Sequence, residues 1–326
     1  MSFRNVFGHE KQIEMLQKNL SQGRISHAYL FSGIPAVGKR TLALEFAKAV
    51  NCQKADTLLD ACGQCISCRK IEHGSHPDYF SVEADGQFIR IDAVRQIQEQ
   101  MKFKPLEAKY RIFIIDNADR MNEQAANALL KTLEEPSTVN LIMLITNRPY
   151  SLPETIISRC RHIRFKPLSN DIVARFLSGR PGIQDQKASL LASLSGGSIG
   201  RALALNDEEA IACREKTLEV LSGAQNSAPF SLIALASFLA QNKAEIRTGL
   251  DIIASCFRDA LVLKETGKTQ ALINQDKSSL IRALSARLSG EKILRNIRLV
   301  EKAEETIEQN GNKSLTLETM AFKLNY

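Results

Sequence analysis

The sequence contains no tryptophan, and its aromatic share is only 6%. It has no apolar run approaching the ~20 residues that a membrane span needs, so a membrane role is not expected. The start, MSFRNVFGHEKQ, holds no apolar core of the signal-peptide kind, which makes a cytoplasmic location the expectation. A block of like charge is also missing. Lys and Arg total 43 against 36 Asp and Glu, a net charge of +7, but the basic residues are scattered along the chain. Such a distribution fits a solvated basic surface as well as a nearby polyanion. Without basic clusters interleaved with aromatics, a free-standing DNA-binding protein is disfavoured. There is no fixed-period repeat and no low-complexity segment. A composition of 44% hydrophobic and 24% charged residues excludes a disordered chain, and 326 residues suffice for two or three domains with cores of their own. The seven cysteines are odd in number and uneven in spacing, which excludes a simple disulfide scaffold. Four lie between 52 and 68, whereas Cys160, Cys213 and Cys256 stand alone. In a reducing compartment such a cluster argues for a metal.

The first half alternates strand and helix signals. HAYLFS is a short apolar run, and TLALEFAKAV after the next loop has the pattern of a buried or amphipathic helix. RIFIID is a second apolar run ending in a carboxylate. MNEQAANALLKTLEEP reads as a helix capped by Asn122 and ended by Pro136. LIMLIT, residues 141–146, shows no polar alternation, as expected of a sheet covered on both faces. Strands separated by helices predict an α/β domain with a parallel sheet. Beyond FKPLSN, residues 165–170, strand signals fade. The expected division is an α/β nucleotide-fold domain over 1–167, a small helical lid over 168–206 and an all-α domain over 207–326.

FSGIPAVGKRT, residues 31–41, carries Gly33, Gly38 and Lys39 in the G-x-x-x-x-G-K spacing of a phosphate-binding loop. Glycines let such a loop turn its amides to the phosphates, and the lysine reaches the outer ones. The Ser or Thr that ligates Mg²⁺ in this motif is replaced by Arg40, which has no lone pair to offer. Thr41 is one residue late, about 100° around the helix. Asp116, after the RIFII run, is the carboxylate expected beside the metal. The next residue, where many hydrolases place a glutamate to activate water, is Asn117, which cannot accept a proton near neutral pH. The pattern therefore predicts a site able to hold ATP but impaired in Mg²⁺ coordination and hydrolysis.

Cys52, Cys62, Cys65 and Cys68 follow C-x9-C-x2-C-x2-C, four thiolates that suit tetrahedral zinc in a structural role. The overlapping C-x2-C-x2-C also resembles iron–sulfur ligation, without the following C-P. His73 and His76 are near enough to replace one cysteine and read more simply as loop residues.

HAYLFSG, GKRTLA, the cysteine cluster, ANALLKTLEEP, TIISRCRHIRF, GGSIGRAL and, less closely, NGNKSLTLETMAFKL together resemble the clamp-loader branch of the AAA+ family. The resemblance favours zinc, in a module inserted at about 52–76, and implies an oligomerising collar for the last domain. It implies that Arg159, within Ser158–Cys160, is an arginine finger acting in the nucleotide site of a neighbouring subunit. By the same resemblance Thr146 and Asn147 hold the polar sensor position, and Arg201 faces this subunit's own nucleotide. The partners implied are other clamp-loader AAA+ subunits, a sliding clamp and primer–template DNA. A catalytically active AAA+ ATPase or DNA motor is the alternative, against which Arg40 and Asn117 both argue.

Overall fold

The structure is a computed structural model, and it describes residues 3–54, 59–84, 86, 88–241, 243–309 and 311–325. Residues 55–58 of the expected insertion, and Asn310 in the closing stretch, lie outside them. The chain divides into two compact units, one of residues 1–185 with 197–201 and one of residues 186–196 with 202–326.

The first unit is built on five parallel strands in the order β2-β3-β4-β1-β5. These are β1 (Ala28–Ser32), β2 (Tyr79–Val82), β3 (Arg111–Ile115), β4 (Asn140–Thr146) and β5 (Arg161–Arg164). The three inner strands, β3, β4 and β1, are buried along their whole length, as apolar strands covered on both faces must be. The covering helices are α1 (Glu10–Ser21), α2 (Lys39–Val50), α3 (Ile66–Glu72), α4 (Ile91–Met101), α5 (Glu123–Glu134), α6 (Glu154–Arg159) and α7 (Asn170–Ser178). The Asn122 side chain accepts the Ala125 amide at 2.8 Å and caps α5. Val94, Ile97, Leu129 and Leu133 of α4 and α5 pack on Phe113, Ile115, Ile142 and Leu144 of the sheet. All strands run the same way, so the segments after β1, β3 and β4 emerge at one edge of the sheet, where open α/β folds place their ligands. RIFII is the third strand of the chain rather than the second, because YFSV precedes it as β2.

The second unit is helical: α8 (Asp185–Leu194) after its first residue and part of α9 (Ile199–Ala204) belong to it, followed by α10 (Glu208–Gln241), α11 (Lys243–Thr266), α12 (Ser278–Arg287), α13 (Gly290–Glu308) and α14 (Lys313–Lys323). Leu218, Leu250, Ile253, Phe257, Ile281, Ile293 and Leu317 form its core. Asp259, fully buried, accepts the amides of Ile273 and Asn274 at 3.0 and 2.7 Å and so fastens the loop after α11. No helix among the described residues is long and apolar enough to cross a membrane.

Candidate functional site

The chain leaves β1 at Ser32, turns through 33–38 and enters α2 at Lys39. Gly33 is needed by close packing, since a Cβ there would lie 2.5 Å from the Phe165 carbonyl oxygen. The loop carbonyls all find partners, as buried backbone must. Those of Gly33 and Ile34 accept from Lys39 Nζ at 2.8 and 2.7 Å. Pro35 accepts from Ser198 Oγ at 2.9 Å, and Ala36 from the Gly200 amide at 3.1 Å. Val37 accepts from His9 Nε2 at 3.0 Å, which makes Nε2 the protonated ring nitrogen. A Cβ on Gly200 would fall 2.6 Å from that of Ala36, so only glycine lets α9 close on the loop apex. Ala36 itself is left-handed, at φ 54°.

Lys39 is 4% exposed, and its third hydrogen bond, at 2.7 Å, goes to Asn147 Oδ1. An ammonium has three donors, and here the protein itself engages all three. Burial lowers the Lys39 pKa to about 8, with the charges of Asp116 and Asp119 opposing the fall. Asn147 Nδ2 donates in turn to Asn117 Oδ1 at 3.3 Å, and Thr146 Oγ1 to Asp119 Oδ1 at 2.6 Å. The ends of β1, β3 and β4 are thereby tied through Lys39, Asn117 and Asn147.

Arg40 turns the other way. Its Nη1 donates to Asp116 Oδ2 at 3.0 Å and pairs with Glu83, which follows β2. The other oxygen of Asp116 accepts the Asn117 amide at 2.9 Å. Each carboxylate oxygen thus already has a partner, and one of them is a permanent cation that cannot itself ligate a metal and repels a divalent ion. This donor set does not fit Mg²⁺.

Arg159 closes α6. Its Nη1 donates to the Thr155 carbonyl at 3.0 Å and its Nη2 stands 2.8 Å from Glu134 Oε1 at the end of α5. These contacts are with α5 and α6, not with the loop. Arg201 follows Gly200, and its amide donates to Ser198 Oγ at 3.3 Å, on the segment that holds the loop apex. Gly33, Gly38, Lys39, Arg40, Asp116 and Asn147 therefore form one constellation, with Arg201 adjoining it in the chain and Arg159 outside it. Thr41 is exposed on α2.

The four cysteines come together. The Sγ atoms of Cys52, Cys62, Cys65 and Cys68 all lie within 4.8 Å of one another, close to the S···S separation of about 3.8 Å that four 2.3 Å zinc–sulfur bonds impose. Backbone amides point at the sulfurs: Cys65 N at Cys62 Sγ, 3.2 Å, and Cys68 N at Cys65 Sγ, 3.4 Å. Burial works to raise the Cys62 thiol, but the amides of Gln64 and Cys65 and the neighbouring thiols outweigh it and hold it at about 6. Burial raises Cys52 and Cys68. The donor set fits zinc. His73 Nδ1 bonds the Arg69 carbonyl and His76 Nδ1 accepts the Asp78 amide, so neither ring belongs to the cluster.

Residues 8–169 match the family described as DNA polymerase III, delta subunit, and residues 208–325 match its C-terminal domain. The chain is 32% identical over 316 residues to the DNA polymerase III subunit delta-prime of Bacillus subtilis, an alignment covering 96% of this chain and 94% of that one. This chain belongs to the DNA polymerase III delta-prime/tau family of clamp-loader subunits. It is 31% identical over 347 residues to the tau subunit of the same organism, covering 99% of this chain and 61% of tau. A solved gamma-subunit-related protein of Thermotoga maritima aligns with 88% of this chain and 97% of its own at 19% identity, with a TM-score of 0.41.

Within this clamp-loader subunit, sequence reasoning missed Glu83, His9, Ser198 and Glu134. Glu83 lies just past an edge strand of only four residues, too short to read as an element. His9 and Ser198 reach the loop from 28 and 163 residues away. Glu134 was read only as part of a helix motif.

Proposed function

We propose that this chain is the delta-prime-type subunit of a clamp loader: a member of a hetero-oligomer of AAA+ subunits that places a sliding clamp on primer–template DNA in the cytoplasm, with little or no ATP hydrolysis of its own. The observation that carries the reading is Arg40 Nη1 at 3.0 Å from Asp116. Phosphoryl transfer in sites of this design relies on a metal ion beside the β- and γ-phosphates and on a group that orients water. Arg40 holds the metal's carboxylate, and Asn117 has its side-chain oxygen turned to Asn147. A phosphate approaching Lys39 would also have to displace one of three protein acceptors. ATP binding is accordingly weak, and Asn147 and Arg201 serve the closed loop.

The chemical contribution is made next door. Arg159 lies at the end of α6, partly exposed and outside this chain's own loop constellation, as a group acting in a neighbour's site must be. Its guanidinium stabilises the charge that develops on the transferred phosphoryl group. Cys52, Cys62, Cys65 and Cys68 would hold zinc in a closed site, where it supplies folding energy and no chemistry. The helical unit 202–326 serves assembly with the other subunits.

The test is ATP turnover by the clamp loader reassembled with Arg159→Ala. Turnover falling at least about 10²-fold with assembly unchanged supports the reading; unchanged turnover contradicts it.

A further inference from the structure

The ion pair between Arg159 and Glu134 has no role in the fold that its exposure would justify. Its side chains are 36% and 50% exposed, and exposed pairs contribute little to stability. Its geometry is specific all the same. Arg159 ends α6 and Glu134 ends α5, and these helices pack on each other. One guanidinium nitrogen is anchored to the Thr155 carbonyl, one turn back in its own helix, and another to Glu134 Oε1, 2.8 Å away on the neighbouring helix. Two anchors on separate elements fix a long side chain that would otherwise sample many rotamers. Of the five N–H donors of an arginine, the Thr155 bond uses one, while the ion pair with Glu134 restrains Nη2 by charge and leaves donors for a ligand. The core beneath is firm, with Leu133 and Ile156 buried beside the ends of the two helices.

We infer that Glu134 is the positioning residue of Arg159: it holds the guanidinium at the angle from which it meets the nucleotide phosphates of the adjoining subunit. This rests on the reading of Arg159 as a finger acting in trans. A finger works only when its donors stand where charge develops, so a small misplacement is costly. The dianionic phosphate is a stronger partner than one carboxylate, and the remaining donors meet it while the Glu134 ion pair persists.

The experiment compares Glu134→Ala, Glu134→Gln, Arg159→Ala and the double variant Glu134→Ala/Arg159→Ala in the reassembled clamp loader, reading kcat and KM for ATP with the melting temperature of each free chain as a control. Expected for Glu134→Ala is a fall in kcat of about 3- to 30-fold, with KM and melting temperature unchanged. Glu134→Gln, which keeps an oxygen for Nη2, recovers most of the loss. The double variant is no slower than Arg159→Ala, because Glu134 acts only through Arg159. Loss with Arg159→Ala but none with Glu134→Ala overturns the positioning role alone. A rise in kcat with Glu134→Ala also overturns it, and identifies Glu134 as a competitor that restrains the finger. If Arg159→Ala itself has no effect, the finger reading fails and the positioning role falls with it.

Discussion

Arg40 Nη1 lies 3.0 Å from Asp116 Oδ2 and touches Glu83 with the same nitrogen. The relationship places an internal ion pair at the corner where the loop motif expects a metal. One guanidinium stands between two carboxylates, so part of their negative charge is compensated from within the chain.

Replacing Arg40 should reopen that corner. Arg40→Thr puts a hydroxyl at the motif position and frees Asp116. Mg²⁺-dependent binding of a fluorescent ATP analogue is expected to tighten by at least about tenfold, equivalent to about 1.4 kcal/mol. Turnover should stay absent, because Asn117 is unchanged. Binding that remains unaltered, with and without chelator, would show that Arg40 is not what bars the metal.

Lys39 acts as a brace for the loop. Lys39→Met leaves the carbonyls of Gly33 and Ile34 and the amide oxygen of Asn147 without their donor, at an expected cost of about 2 to 3 kcal/mol. Chemical denaturation at pH 7 measures it. A phosphate-binding lysine free of such duties would give a variant as stable as the parent.

The same residue sets a pH dependence. Its folded pKa is about 8, against ~10.4 unfolded, so between these values the unfolded chain binds more protons. The titration-linked part of its contribution, which adds to the brace, is fully present above the unfolded value and lost as pH falls through the folded one. Stability relative to Lys39→Met should therefore rise as pH increases from about 8 to about 10. A flat difference across that window would place the Lys39 pKa at its ordinary value.

Zinc is expected at about one ion per chain prepared without chelator, and none in Cys65→Ser. Removing it should lower the melting temperature and raise amide exchange first in 59–72 and in the last turns of α2. There the Lys48 carbonyl meets Cys68 Sγ at 4.0 Å, and Lys48 pairs with Glu45 and Glu72. Metal-free protein with unchanged exchange would remove the structural role.

The inner sheet was legible because β1, β3 and β4 are buried on both faces and must read as unbroken apolar runs. The edge strands were not. YFSV is half-exposed, and RHIR carries two arginines and a histidine, the charged dress that keeps an edge from pairing with other chains. The loop motif named Lys39, Arg40 and Asp116 from spacing alone. What spacing could not give was where their side chains turn: Lys39 inward to its own carbonyls, Arg40 across to a glutamate 43 residues away. Arg159 was singled out only through its motif, since an isolated arginine at a helix end reads as surface charge. The partners of the loop carbonyls, His9, Ser198 and Gly200, come from both ends of the first unit and have no local signature.

The most direct measurement is steady-state ATP turnover by the isolated chain with saturating Mg²⁺, set beside Lys39→Met and Asp116→Asn. A subunit whose metal corner is filled by Arg40 gives no turnover above either variant. Sustained Mg²⁺-dependent turnover, abolished by Asp116→Asn, would mean that Arg40 gives way to the metal and that the chain is an ATPase in its own right.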